Sequence, residues 1–146
     1  MKILYLRIMS MCIVLACCCC QRAPFKPEAI QQDYLTFGKG GGMTNQVTTY
    51  FILADGHVYQ HDNLSKAYQH LGRLNRADRT DCFAQARQLP DSLFGCDAPG
   101  NLYYFLSKHT QDTVMSCTWG SQGVVPPKNL SAFYQYTQQL VKDLSL

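Results

Sequence analysis

The chain has 146 residues, of which 47% are hydrophobic and only 16% are charged. Such a chain makes one globular domain whose polar surface is built largely from uncharged side chains. The formal net charge is +3, but two of the basic residues, Lys2 and Arg7, lie in an N-terminal leader. A nucleic-acid-binding domain concentrates basic residues on one face, so the composition argues against a nucleic-acid partner.

The first sixteen residues predict a signal peptide. Lys2 and Arg7 make a positive start, and the apolar segment 8–16 follows directly. Residues 8–20 are uncharged, but this run is shorter than the roughly 20 residues that a membrane-spanning helix needs. We therefore expect export and removal of residues 1–16.

The leader ends in Val14-Leu15-Ala16-Cys17, which resembles the lipobox of bacterial lipoproteins. The resemblance implies cleavage after Ala16 and acylation of Cys17 with palmitate-type chains. Several acyl chains on one cysteine hold a protein firmly in a membrane, at roughly 0.8 kcal/mol for each buried methylene. Cys18 is the alternative acceptor, because residues 17–20 are all cysteines. The implied location is the bacterial cell envelope, with the periplasmic face of the outer membrane as the expected site.

Residues 17–29 predict a lipidated tether, because they contain two prolines and mixed charges and show no apolar periodicity. Residues 30–146 then predict one domain. The segment 34–37 is a candidate strand. Residues 46–53 are rich in β-branched and aromatic side chains and predict a second strand. Asp55-Gly56 follows, and this pair predicts a two-residue hairpin turn into a strand that begins at His57.

Two short helices are expected next. The spacing i, i+3, i+4, i+7 predicts one helix with an inner face of Leu64, Ala67, Tyr68 and Leu71. Asp62 or Asn63 is its expected cap. Asp78 or Thr80 is expected to open a second helix, which ends before Pro90. The predicted inner residues of that helix are Phe83, Ala86 and Leu89.

The C-terminal half predicts a second hairpin and a last helix. Residues 90–101 and 120–128 have loop composition, while residues 102–109 and 113–119 predict two strands joined by a turn at 110–112. Asn129 is the expected cap of the final helix. Its predicted inner stripe consists of Leu130, Phe133, Tyr134, Thr137, Leu140, Val141 and Leu144. The fold class is therefore α+β: an antiparallel sheet of about four to five strands, formed by two hairpins, with two to three helices packed on one face.

The segments 38–59, 100–106 and 113–120, followed by the amphipathic C-terminal helix, resemble a group of small uncharacterised lipoproteins of Bacteroidetes-type bacteria. The resemblance covers residues 34–146. It implies an envelope location and an α+β domain, and it carries no catalytic residue to any position of this chain.

Neither a nucleotide nor a metal ion is expected as a cofactor. The glycine run at 38–42 lacks the order of a phosphate-binding loop and leads into a strand instead of a helix. We expect it to be a flexible or bulged entry to that strand. His57 and His61 are four residues apart, which on a strand separates them by about 13 Å, too far to share one metal ion.

Three cysteines fall in the domain, and export favours a disulfide between two of them. The predicted pair is Cys82 with Cys96, a bond that would stabilise the domain by about 3 kcal/mol through the chain entropy of the unfolded state. Pairing of Cys117 with either of the other two is the alternative. A second hypothesis makes Cys117 a nucleophile activated by His109, although no local signature of a cysteine enzyme surrounds it.

Alternation along the strand 102–109 places Tyr104 on one face of the sheet and Tyr103 with Phe105 on the other. Core packing is the first explanation of aromatic residues on both faces, and a recognition surface on the face that the helices do not cover is the alternative. We therefore expect a non-catalytic envelope lipoprotein that serves as a binding or structural module, with an envelope protein as a possible partner through its sheet face or loops. The alternative is a small thiol-dependent hydrolase that uses Cys117 and a histidine.

Overall fold

The computed structural model describes residues 25–145, so the predicted leader and its acceptor Cys17 lie outside the described residues. The elements in chain order are β1 (Tyr34–Gly41), β2 (Gln46–Leu53), β3 (His57–Asp62), β4 (Ala67–Arg73), α1 (Arg76–Gln88), β5 (Asp97–Ala98), β6 (Leu102–His109), β7 (Val114–Trp119) and α2 (Lys128–Leu144). Single 3-10 turns lie at Pro27–Ala29 and Asp91–Leu93.

The strands form one seven-stranded sheet in the order β4-β3-β2-β1-β6-β7-β5. All neighbours are antiparallel except β5 and β7, which run parallel. The α+β class is confirmed, but the sheet is larger than the four to five strands predicted and is mixed. Two segments account for the difference: β4 replaces a predicted helix, and β5 lies in a predicted loop.

The helix predicted from the spacing of Leu64, Ala67, Tyr68 and Leu71 is wrong. Asp62 starts a tight turn instead of a helix, since its carboxylate accepts from the backbone N–H groups of Leu64 and Ser65 at 2.8 and 3.2 Å. Lys66 adopts the left-handed conformation with φ 54°, which breaks any helix there. The apolar spacing does not make one buried face, because Leu64 is 60% exposed and Tyr68 is 38% exposed, whereas Leu71 packs against the core and β4 pairs with β3.

The glycine run is part of the central strand β1 and not a flexible entry to β2. Gly38 and Gly40 are paired with β2 on one side and β6 on the other. A Cβ atom on Gly38 would collide with the Thr48 carbonyl, and one on Gly40 with the ring of Tyr103. Glycine is needed here because neighbouring backbone and rings approach β1 closely.

The β2–β3 hairpin forms as predicted, with Gly56 at φ 94°. Its turn differs in detail, because the loop has three residues, 54–56, instead of two. The N–H of Gly56 donates to the Leu53 carbonyl at 2.8 Å, and Asp55 is not among the residues with positive φ. This arrangement is a three-residue loop that ends in a left-handed glycine.

Both helices occur near their predicted positions, with earlier starts. Helix α1 begins at Arg76 and is capped by Asn75, whose side chain accepts from the backbone N–H of Asp78 at 2.9 Å. Helix α2 begins at Lys128 after Pro127, so Asn129 lies inside the helix and is not its cap. The inner stripe of α2 is confirmed by its buried residues Leu130, Phe133, Tyr134, Thr137, Leu140 and Val141.

Both helices contribute to one hydrophobic core, which lies on a single face of the sheet. The sheet side of this core comprises Leu35, Phe37, Ile52, Val58, Leu106, Cys117 and Trp119. Tyr134 of α2 packs edge-on against Trp119 and Phe37, with ring centroids 5.2 and 6.0 Å apart. Its hydroxyl donates to the Gly38 carbonyl at 3.0 Å, so α2 is also tied to β1 by a buried hydrogen bond.

The disulfide joins Cys96 to Cys117, with their Cα atoms 4.6 Å apart. This is the alternative left open by the sequence, in place of the predicted Cys82–Cys96 pair. The backbone explains the difference, because Thr118 donates to the Cys96 carbonyl at 2.8 Å and so holds the loop against β7. Cys82 is a free, fully buried thiol in the core, where burial raises its pKa to about 12.

We predict that non-reducing peptide mapping of the exported protein will recover one bridge, between Cys96 and Cys117. Substituting Cys82→Ala should keep that bridge, whereas Cys96→Ala should lower the free energy of unfolding by about 3 kcal/mol, since a loop of this length is no longer closed. Recovery of a Cys82–Cys96 peptide pair would contradict the structure.

Candidate functional site

The sheet face opposite the core carries a dense set of rings, and we call it the open face. Cross-strand register places Phe51 opposite Tyr59, His61 opposite Tyr68, and Tyr34 opposite His109. The ring-bearing residues of the open face on the strands are Tyr34, Phe51, His57, Tyr59, His61, Tyr68, His70, Tyr103, Phe105 and His109. All four histidines of the chain therefore lie on the same face.

Phe25, which lies within the predicted tether 17–29, packs on the β2–β4 part of the open face. Its ring stacks on Tyr59 with centroids 3.9 Å apart and an interplanar angle of 12°. It also makes edge contacts with Phe51 at 5.5 Å and Tyr68 at 5.3 Å. Edge contacts of this kind contribute about 0.5–1.5 kcal/mol for each pair beyond the buried area. This part of the tether thus packs on the domain.

The three histidines of β3 and β4 are held by neighbouring rings and not by a metal cluster. His57 and His70 share a hydrogen bond of 2.9 Å between their ring nitrogens, and His61 stacks on Tyr68 with centroids 4.4 Å apart. Within residues 25–145, no group of three or more histidine, cysteine or acidic side chains is placed to hold a metal ion. The polar edges of these rings instead offer donors and acceptors at the surface.

The far corner of the open face is formed by Tyr34 and His109, whose rings stack with centroids 4.2 Å apart. The Nε2 atom of His109 is 3.1 Å from the Thr36 hydroxyl. Burial lowers the pKa of His109, because a charged imidazole is disfavoured away from water. A groove of about 450 Å³ lies beside this corner, between the strands and the segment before β1. Its lining includes Ile30, Gln32 and Gln111.

Cys117 and His109, the pair considered for nucleophilic catalysis, lie on opposite faces of the sheet. Cys117 is paired with Leu106 on the core face and is fully buried, whereas His109 belongs to the open face. The sulfur of Cys117 is also bonded to Cys96. Nucleophilic catalysis needs a free thiolate within hydrogen-bond reach of its base. Cys117 has no free thiol, and the sheet separates it from His109.

The predicted division of β6 between two faces is confirmed. Tyr104 lies in the core, with its ring 6.1 Å from that of Trp119 and 5.9 Å from that of Tyr134. Tyr103 and Phe105 lie on the open face, above Gly40 and Gly38. Both rings are half-buried, so the β1–β6 part of the open face also presents aromatic surface.

The sequence reasoning missed Phe25, Tyr68 and His70 as members of the open face. Phe25 was placed in the tether, and the other two in a helix that does not form. A period-2 signal was present, because the rings of Tyr68 and His70 are two residues apart, as those of Tyr59 and His61 are on β3.

No helix within residues 25–145 has the length and apolar character needed to span a bilayer. Comparison of the chain with models of known protein families, and with curated proteins, found no match.

Proposed function

We propose that the chain is an exported lipoprotein, anchored in the cell envelope by acyl chains on Cys17, whose domain acts without catalysis by binding an envelope protein through the open face. The observation that carries the binding role is the ring-rich face that both helices leave uncovered. Tyrosine and histidine combine an apolar ring with a polar edge, and aromatic residues of this kind are enriched at protein interfaces.

The Cys96–Cys117 bridge supports the envelope location. Disulfides persist in oxidising compartments such as the periplasm and are rare in the cytosol. Here the bridge fastens the loop after α1 to strand β7, so the folded domain benefits from an oxidising location. The thiol hydrolase alternative receives no such support, since Cys117 is consumed by the bridge.

Polar groups near the rings add specificity to the proposed surface. His70 and Tyr68 are exposed on β4, and Ser116 is exposed on β7. A partner that covered this face would bury rings at the centre and meet hydrogen-bonding groups toward both edges. This is the usual arrangement of a protein interface, with an apolar centre and a polar rim.

We predict that photo-cross-linking in the intact envelope will report a partner on the open face. A photo-reactive phenylalanine analogue at Tyr68 or Tyr103 should form one discrete adduct with another protein. The same analogue at Gln135, which is exposed on α2, is the matched control and should form none. Equal adducts at all three positions, or adducts at Gln135 alone, would contradict the proposed binding face.

Acylation is tested separately. Metabolic labelling with a fatty-acid analogue should tag the wild-type chain and fail to tag Cys17→Ser, because the acceptor thiol is then lost. Cys18→Ser is the control and should remain labelled. Undiminished label in Cys17→Ser, together with loss of label in Cys18→Ser, would place the acyl chains on Cys18 instead. Absence of label in the wild-type chain would refute the lipid anchor.

A further inference from the structure

The exposed apolar side chains of the domain gather at one end of the sheet, which we call the loop end. Seven large hydrophobic residues are exposed in the described part of the chain. Five of them define the loop end: Met43, Leu64, Leu102, Val124 and Val125. Singly exposed apolar residues are normal on any protein, but a cluster of them marks an interaction surface.

Strand register places Met43, Leu64 and Leu102 at one end of the sheet, and backbone hydrogen bonds hold Val124 near the same end. Met43 lies in the β1–β2 turn, and Leu64 in the β3–β4 turn, which is at the same end because β2 and β3 are antiparallel. Leu102 begins β6 opposite Gly41. Strand β7 ends at the same end of the sheet, where Trp119 pairs with Tyr104. Beyond it, Ser121 donates to the Ala98 carbonyl at 3.0 Å and Val124 donates to the Ser121 carbonyl at 3.1 Å, and Val125 follows.

The loop end is a row of projecting tips and not a groove. Met43 is fully exposed, Val125 is 84% exposed and Leu64 is 60% exposed. Neighbouring strands are about 4.8 Å apart, so the row from the β3–β4 turn to the end of β7 extends over roughly 20 Å. A flat, yielding surface can receive separate tips along such a row, whereas a folded protein partner would need matching pockets.

Basic residues accompany the tips. Lys66 follows Leu64 within the β3–β4 turn, and Lys39 is exposed on β1 two residues before Gly41. Asp62 of the same turn accepts from the Gln46 side chain and from the backbone N–H groups of Leu64 and Ser65, and these bonds lower the pKa of its carboxyl, so Asp62 keeps its negative charge beside Lys66. Lysines beside apolar tips suit a bilayer surface, because their ammonium groups meet lipid phosphates while the tips enter the headgroup region.

The tether is long enough for this contact. Cys17 is eight residues before Phe25, which allows a span of at most about 29 Å. Phe25 lies beside Phe51, which is five residues from Gln46 at the loop end, or about 17 Å along the strand. An acylated Cys17 can therefore reach a bilayer in contact with the loop end while Phe25 keeps its place.

We propose that the loop end rests on the bilayer that holds the acyl anchor, with its apolar tips inserted among the lipid headgroups. The proposal rests on the lipid anchor proposed above and extends it. The strands then stand on the membrane, and the open face is turned sideways, where a partner in the same envelope can meet it. The opposite end of the sheet, which carries Val114, points away from the lipid.

The test uses the full acylated chain reconstituted in vesicles of phosphatidylethanolamine and phosphatidylglycerol, with and without brominated acyl chains. One tryptophan is added as Met43→Trp at the loop end or as Val114→Trp at the opposite end. Val114 is a matched control, since it is also exposed, at 65%. The single native tryptophan, Trp119, stays in place, and its wild-type signal is subtracted.

The added emission of Met43→Trp should shift to shorter wavelengths and be strongly quenched by the brominated lipid, and that of Val114→Trp should change little. Leu64→Trp should repeat the Met43→Trp result. Equal quenching at both ends overturns the proposal. A shift to shorter wavelengths without quenching by brominated lipid also overturns it, because a second copy of the chain covering the tips would give that result. Vesicle flotation separates the two claims: wild type that fails to float refutes the anchor and the docking with it, whereas floating protein with unquenched Met43→Trp refutes the docking alone.

Discussion

A seven-stranded sheet has two faces, and the two helices of this chain pack on one of them. That constraint decides what each strand residue can do. Residues that face the helices, such as Phe37 and Leu106, are almost wholly buried and form the core. Residues that face the other way must cover the sheet with their own side chains, which explains why large rings are gathered there.

The packing on both faces of the sheet depends on strand β1. Its odd-numbered residues Leu35 and Phe37 belong to the core, and its glycines leave room for the rings of Phe105 and Tyr103 on the open face. The Gly38 carbonyl also receives the Tyr134 hydroxyl from α2. A side chain at Gly38 would therefore disturb the packing of β2 and β6 together.

Much of this fold could be predicted from the sequence, and the failures have physical causes. Strands β2 and β6 have the predicted bounds, because their aromatic and β-branched residues alternate between a core and a ring-covered surface. The inner stripe of α2 was also predictable, since its apolar spacing meets a real core. Strand β4 was not predictable from its sequence. Leu64 belongs to a helical apolar spacing but is exposed to solvent, and the turn made by Asp62 decides the local conformation.

Only some residues of the open face could be predicted from the sequence. Alternation in β6 placed Tyr103 and Phe105 on a face away from the core, but the contribution of β4 depended on the strand assignment. The contact of Phe25 with Tyr59 joins residues 34 positions apart, and no local pattern encodes it. The Cys96–Cys117 bridge likewise depends on where the loop after α1 meets β7. The positions of the cysteines in the sequence do not determine this pairing.

The central claim is that the core face maintains the fold while the open face is available for binding. The most direct measurement compares the free energy of unfolding of Tyr134→Ala with that of Tyr68→Ala by denaturant titration. Tyr134 is 5% exposed and Tyr68 is 38% exposed, so the first substitution should cost about 3–5 kcal/mol and the second below about 1.5 kcal/mol. Equal losses would contradict the account, because the open face would then be a second core.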